Sequence, residues 1–285
     1  MILGYNTNGF AHHRLDDAIA IIAGSGYSGL ALTPDVHHLN PFEPDLAGRA
    51  AELRELLDEK NLKVAIETGA RFLLDAHRKH QPTLVSPNPE ERDYRREFLE
   101  LDAISLAKEL GATCVSFWSG TAIDDASPSV LMDRLVEQCI RLSDAAGGAD
   151  VKLAFEPEPG MFLDTMDKFA ELHGRVGHPN FGLTIDVGHL VCLNEAPVGP
   201  HLLRWKDCLG NVHLDDMKPG VHDHLMFGDG DVNFQDVFAV LASIGFRGIA
   251  SVELSRHSYD AVRTAKASFA FLERIRASVA AAGGA

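Results

Sequence analysis

The sequence predicts an α/β chain folded as a single-domain (β/α)8 TIM barrel, and three observations carry that prediction. Eight short apolar runs bounded by turn residues have strand length, and stretches with apolar residues near i, i+3, i+4 and i+7 separate them. No glycine-rich phosphate loop follows the first run, so eight regular units favour closure over a doubly wound open sheet. With 285 residues and 46% apolar composition, the chain has the material for one such barrel, which takes ~250 residues. The barrel is assigned to residues 1–280 and a flexible tail to 281–285.

In chain order, the first strand is MILGYNTN and the helix LDDAIAIIAGSG follows it. The second strand, GYSGLALTPD, leads to the helix DLAGRAAELRELLDEKN, and the third, LKVAIETGA, to a long connection and the helix PEERDYRREFLELDAISLAKELG. The fourth strand, ATCVSFWSG, precedes PSVLMDRLVEQCIRLSDAAG, and the fifth, VKLAFEPEP, precedes TMDKFAELHGRVG. Several of these helices end at Gly or Asn, the residues that tolerate the left-handed turn after a helix. The sixth strand, FGLTIDVGH, is followed by the less regular LVCLNEAPVGPHLLRWKDC. The seventh, LGNVHLDD, precedes NFQDVFAVLASIG, and the eighth, GIASVELSR, leads to the last helix, SYDAVRTAKASFAFLERIRASVA. Two connections exceed ordinary loop length, RFLLDAHRKHQPTLVSPNPEE after the third strand and DMKPGVHDHLMFGDGDVNF after the seventh. Long ordered loops in a compact domain are usually functional, and both of these fall on one barrel face.

Charge narrows the partners. The 26 basic and 41 acidic residues give a formal −15, which repels polyanions and argues against nucleic acid or an anionic membrane as partner. No run approaches the ~18 apolar residues of a membrane span and the amino terminus lacks a signal-like apolar region, so a soluble, cytoplasmic protein acting on a small molecule is expected. Cys114, Cys139, Cys192 and Cys208 are widely spaced with no CxxC pair, and are read as reduced, buried thiols.

The chemistry sits at four strand ends: Glu156, Asp186, His213 and Glu253 close the fifth to eighth strands. In a parallel barrel those ends converge at one mouth. A single carboxylate there is equally well explained as an internal salt bridge or a solvated strand end. Four polar groups at equivalent heights are not, because each buried charge is costly unless paired or metal-bound. Three carboxylates and one imidazole suit one divalent ion, Mn²⁺, Mg²⁺, Co²⁺ or Zn²⁺, with positions left for substrate oxygens.

The pieces LAFEPEPG, LTIDVGH, VHLDD, SVEL and the loop HDHLMFGDGD with its H-x-x-x-G-x-G pattern resemble the xylose-isomerase-like TIM-barrel superfamily, in particular its sugar-phosphate isomerase/epimerase branch. The likeness covers the second half of the chain; the first half matches only as four βα units. It implies that Glu156, Asp186, His213 and Glu253 bind the metal and that Glu156 and Glu253 also shuttle protons. It implies further that His189 contacts a substrate oxygen, that His224 binds the substrate or a second metal, and that the protein forms dimers or tetramers. The expected activity is isomerisation or epimerisation of a ketose, a sugar phosphate or an inosose through an enediolate.

Other residues have two readings each. Glu158 shares the face of Glu156 and either binds a sugar hydroxyl or meets solvent. Glu67 and Arg71 are placed at the distal end of a substrate, and Arg71, Arg78, Lys79 and His80 make a locally basic loop that is either an anion site or solvated. Trp118 is an apolar wall for a sugar face or barrel packing. His12 and His13 are read as surface loop, and Asp215 as a partner of a ligand histidine.

Three competing functions remain. A lyase would dehydrate an inosose- or dehydroshikimate-like compound from the same α-proton abstraction. A phosphodiesterase like the apurinic-site endonucleases of the superfamily would need histidines in strands three and four and a D-x-H loop. Here those strands give AIETGA and SFWSG, and His222 stands where the aspartate would be. The non-enzymatic reading is a metal- and sugar-binding protein.

Overall fold

In the computed structural model, which describes residues 1–283, eight parallel strands close into one barrel. They are β1 (Ile2–Asn6), β2 (Gly29–Leu32), β3 (Lys63–Glu67), β4 (Val115–Phe117), β5 (Leu153–Phe155), β6 (Phe181–Asp186), β7 (Leu209–Leu214) and, after the antiparallel hairpin β8 (Asp216–Lys218) and β9 (Val221–Leu225), β10 (Ile249–Val252). The order around the barrel is β1-β10-β7-β6-β5-β4-β3-β2. The predicted closure and the predicted strand sequence are therefore both observed.

Helices ring the outside: α1 (Leu15–Gly24), α2 (Leu46–Glu59), α3 (Pro89–Glu97), α4 (Ser105–Leu110), α5 (Pro128–Ala149), α6 (Met166–Val176), α7 (Val187–Cys192), α8 (Gly199–Arg204), α9 (Phe234–Ser243) and α10 (Ala261–Gly283). Their starts follow from capping chemistry: the side chains of Asn88, Ser127 and Thr165 accept from backbone N–H groups in the first turn, and Pro89 and Pro128 occupy positions whose own N–H is not needed. Gly111 and Gly177 close α4 and α6 with φ of 62° and 57°, conformations that cost a side-chain-bearing residue more.

The outward strand faces and the helices make the large apolar core, in which Phe117, Phe155, Phe169 and Phe181 pack ring on ring at centroid distances of 5.3 to 6.4 Å. Inside the barrel, Ala65, Cys114, Ala154 and Ile249 form a separate small layer near the amino ends. One layer higher come polar side chains, with Ser116 Oγ 2.9 Å from Thr184 Oγ1. Side chains two apart on a strand share a face, so each inward column climbs from small and apolar to polar and then to the mouth.

The structure departs from the sequence reading at four places. The helix predicted for 89–111 is interrupted by a π-helical stretch, Phe98–Ile104, between α3 and α4. The irregular segment after β6 holds two short helices, α7 and α8. The connection after β7 is not all loop: it folds back as β8 and β9. Residues 281–283, expected in the tail, continue α10, because alanine propagates a helix well; the last two lie outside the described residues. The cysteines are free as expected, with Cys114, Cys139 and Cys192 buried and Cys208 intermediate.

Candidate metal centre and cavity

Each ligand candidate reaches the mouth from the top of its strand. Glu156 follows β5 directly, Asp186 ends β6, His213 lies in β7 and Glu253 follows β10. Asp186 stands level with His213 across the β6–β7 ladder, and His213 level with Ser251. One ligand atom from each of Glu156, Asp186, His213 and Glu253 lies within 4.8 Å of the others, so the four predicted residues do converge.

The contacts within the cluster are specific. His213 Nδ1 lies 3.0 Å from Glu156 Oε1 and 2.9 Å from Glu253 Oε2. On its other side, His213 Nε2 is 2.9 Å from Glu67 Oε1, and Asn211 Nδ2 donates to the same oxygen at 2.9 Å. Asn8 Nδ2 donates to Glu253 Oε1 at 2.8 Å. Asp186 Oδ1 accepts from the backbone N–H groups of Gly188 and His189, at 2.7 and 2.9 Å, while Oδ2 has no hydrogen-bond partner among the described residues.

Electrostatically the cluster is short of positive charge. Burial works against a charged His213, but Glu156, Glu67 and Glu253 outweigh it and hold the imidazole well above its usual range. Burial pushes the Glu156 carboxyl up to about 7 against the pull of His213. For Glu253 burial also pushes upward, yet His213, His224 and the Asn8 hydrogen bond leave it below the usual carboxylate range. A divalent ion fits this demand: three carboxylates and an imidazole, one of them with an unpartnered buried oxygen, form a hard-to-borderline donor set. Glu67 would then hold the far nitrogen of a ligating imidazole, the usual way a metal-bound histidine is oriented.

Beside the quartet lies a second group. His189, His222 and His224 bring ring nitrogens within 4.8 Å of one another, and one ligand atom from each residue does the same in the groups Glu156, Glu158, His189 and Asp186, Asp215, His224. His189 is 2% exposed; its Nδ1 is 3.3 Å from the Pro157 carbonyl and its Nε2 3.7 Å from Glu158 Oε2. Burial lowers it to about 4, so it stands as a neutral ring. Asp215 does pair with a histidine, but with His224 Nδ1 rather than with His213. Burial raises the Asp215 carboxyl, with Asp186 adding to the effect, while for His224 the charge of Asp215 overcomes burial and raises the imidazole.

A cavity of about 210 Å³ opens above Glu156, His213 and Glu253, while Asp186 lines a small recess beside it. Glu158, Trp118, Arg71 and His224 line it, as their assignment to substrate requires, whereas His189 sits behind Glu158 and lines a small neighbouring recess. One reading needs correction, and for Arg78 the solvated reading holds. Glu67, expected at the distal end, is on the floor against His213, because its strand position places it one step above Ala65 in the inward column. Arg78 does not enter the cavity: Asp75 and Glu91 hold it at 2.6 and 3.1 Å. Asn8 and Asn211 were missed altogether. For Asn211 the signal was its place two residues before His213 on β7; Asn8 lies in the 3-10 turn Thr7–Phe10 after β1, where strand alternation no longer applies.

An eight-stranded parallel barrel with a carboxylate–imidazole centre at its carboxyl-end mouth defines the class. The chain belongs to the xylose isomerase-like TIM barrel family, whose family model matches residues 12–275. It is 27% identical over 224 residues to an L-ribulose-5-phosphate 3-epimerase, UlaE, of Salmonella paratyphi C, covering 76% of this chain and 75% of the relative. A solved L-ribulose 3-epimerase superposes with a TM-score of 0.80 at 19% identity, over 99% of this chain and 97% of that one. The IolI protein solved with a bound zinc atom gives a TM-score of 0.71 at 18% identity, over 98% of each chain. Among the described residues no helix is long and apolar enough to cross a membrane.

Proposed function

We propose that the protein is a divalent-metal-dependent isomerase or epimerase of a small polyhydroxylated carbonyl compound: a ketose, a sugar phosphate or an inosose. The observation that carries the reading is that Glu156 and Glu253, from strands separated by β6 and β7, both bring a carboxylate oxygen within 3.0 Å of His213 Nδ1. The names of the matched epimerases and the zinc-bound neighbour support it.

Glu156, Asp186, His213 and Glu253 would hold the ion, Mn²⁺, Mg²⁺, Co²⁺ or Zn²⁺, with Glu67 fixing the imidazole. When bound, such an ion supplies Lewis-acid stabilisation of negative charge on a carbonyl oxygen. The residues do the rest. One glutamate removes the proton alpha to the carbonyl and the other returns a proton to the opposite face, giving the epimer, or to the adjacent carbon, giving the isomer. Asn8 holds one oxygen of Glu253 and leaves the other toward the site. Glu158 and Arg71 offer contacts to substrate oxygens, Trp118 supplies an apolar wall, and His189 and His224 stand behind and beside Glu158.

The test is solvent deuterium incorporation at the α carbon of a ketopentose by the Mn²⁺-loaded protein. Glu156→Gln and Glu253→Gln are each expected to slow exchange by roughly 10²–10⁴-fold. Exchange that survives either substitution removes that glutamate from proton transfer. Release of water with a conjugated enone absorbance would replace isomerisation by the lyase reading.

The histidine trio His189, His222 and His224 favours one second reading, a multi-metal hydrolase. Two or three tightly bound ions per chain together with cleavage of abasic DNA would establish it. A single ion with α-proton exchange supports the isomerase.

A further inference from the structure

We propose that Arg95 is a positioning residue for substrate: together with His80 it fixes the Trp118 ring as a preformed wall of the cavity, so that the wall is in place before a substrate enters. The inference rests on the isomerase reading and adds to it a residue that lines neither the ion site nor the cavity.

Arg95 is out of place by its chemistry. It is the one buried residue of α3 and, among the described residues, the one arginine or lysine that is buried. Burial lowers the guanidinium to about 9, and no neighbouring carboxylate counters that. Its Nη2 donates to the Thr68 carbonyl at 2.8 Å, and its guanidinium carbon stands 4.8 Å from the centroid of the Trp118 ring and 5.4 Å from that of Phe98. Its Nε and Nη1 have no hydrogen-bond partner among the described residues. A buried charge without a counter-ion is costly, and an apolar side chain of similar volume commonly serves a fold as well or better. Stability therefore does not account for a guanidinium at this position.

What a guanidinium does, and an apolar side chain cannot, is join a ring to a carbonyl. Its plane lies over an indole while the N–H groups at its edge still donate. Trp118 has a second holder of the same design. The His80 ring lies perpendicular to it at a centroid distance of 5.1 Å, and His80 Nδ1 is 2.7 Å from the Gly69 carbonyl. Both groups are thus anchored to successive carbonyls, Thr68 and Gly69, just past the end of β3.

The backbone beneath them is itself fixed. Thr68 Oγ1 donates to the Ser116 carbonyl in β4 at 2.8 Å, and the His80 N–H donates to the Arg71 carbonyl at 2.6 Å, which closes the loop at its base. Ala70 and His80 sit in the left-handed region with φ of 42° and 65°. Left-handed backbone at residues other than glycine persists where surrounding structure fixes it, often at ligand clamps. Trp118 is 7% exposed and lines the cavity beside Thr68 and His80, whereas Arg95 holds it from the protein side. A ring left to swing would have to be ordered by each arriving substrate, and that ordering subtracts from binding.

The chain has two tryptophans, so labelling with 5-fluorotryptophan gives two fluorine resonances, assigned with Trp205→Phe. Trp205 packs against Phe169 and His173 and serves as the internal control. Arg95→Met, which keeps the length and bulk of the side chain, is expected to shift and broaden the Trp118 resonance of the full chain and to leave that of Trp205 in place. On the Mn²⁺-loaded chain it is expected to raise KM for α-deuterium incorporation into a ketopentose by roughly tenfold, with kcat within about twofold and Mn²⁺ affinity unchanged. A merely structural role gives a different result: both resonances change, and kcat and metal binding fall along with the unfolding midpoint. That result, an unchanged Trp118 resonance or an unchanged KM overturns the proposal. Arg95→Lys keeps a cation but loses the planar fork, so it is expected to move both readouts in the same direction by less, and it serves if Arg95→Met does not fold. If the wild type exchanges no ketopentose, the isomerase reading fails by itself and the fluorine spectrum decides. A change confined to Trp118 then keeps Arg95 as the holder of that wall, and an unchanged spectrum ends the proposal as well.

Discussion

At the residue scale, His213 shows how a barrel fixes one side chain from both ends. Its Nδ1 faces Glu156 and Glu253, and its Nε2 faces Glu67. A histidine whose far nitrogen is free can rotate, and a rotated ring is a poor ligand. Glu67→Gln is therefore expected to weaken Mn²⁺ binding by roughly 10–100-fold while the thermal unfolding of the metal-free protein shows an intact fold. Titration calorimetry checks this, and unchanged affinity would remove Glu67 from the centre. Gly188 in D-V-G-H illustrates the opposite constraint. A Cβ there would overlap Asp215 Oδ1 and crowd Met217, so the motif needs glycine to let the turn after Asp186 lie against the β7 end.

At the element scale, the two long connections turn out to be organised structures. In the one after β7, the buried carboxylate of Asp216 accepts from the backbone N–H groups of Gly228 at 2.8 Å and Val232 at 2.9 Å, and a Cβ on Gly230 would run into the Asp216 side chain and the Met217 backbone. The H-x-x-x-G-x-G spacing thus reflects a loop wrapped around one aspartate. In the connection after β3, His80 is the closing residue, and burial, aided by Lys79, Arg95 and Arg71, lowers it to about 4 although its bond to the Gly69 carbonyl works the other way. Its folded value lies below its unfolded one, so the unfolded chain takes up the proton first. The stability His80 contributes is complete above pH ~6.5 and is lost as pH falls toward the folded value. His80→Asn, which tolerates the left-handed backbone, is expected to show a shallower fall of unfolding midpoint between pH 6.5 and 4 than the wild type. Equal slopes would place the acid sensitivity elsewhere, for example at buried His189.

At the scale of the whole molecule, stability and site belong to different layers of one barrel. The outer layer is apolar: Phe155 is fully buried, with its ring packed against Phe117, Phe169 and Phe181. Phe155→Ala is expected to cost about 3–5 kcal/mol in urea unfolding, the range for emptying a buried aromatic site. It also tests coupling, since Glu156 is the next residue and its position depends on how β5 seats. Retained metal affinity at that lowered stability would show that the inner layer is positioned by the barrel ladder alone. By itself the sequence determined the strand and helix alternation, the barrel class and the quartet Glu156, Asp186, His213 and Glu253. Periodicity is local, and a polar residue at the carboxyl end of an apolar run points to the mouth wherever the strand falls in the ring. Only the tertiary structure decided that Glu67 braces His213 across 146 residues, that Asn8 holds Glu253 across 245, that Asp215 pairs with His224, and that Arg78 turns from the cavity while Arg71 and Lys79 face it. The physical reason is that a side chain's partner depends on which strands and loops the closed barrel makes neighbours, and closure brings together residues whose separation along the chain leaves no periodic trace.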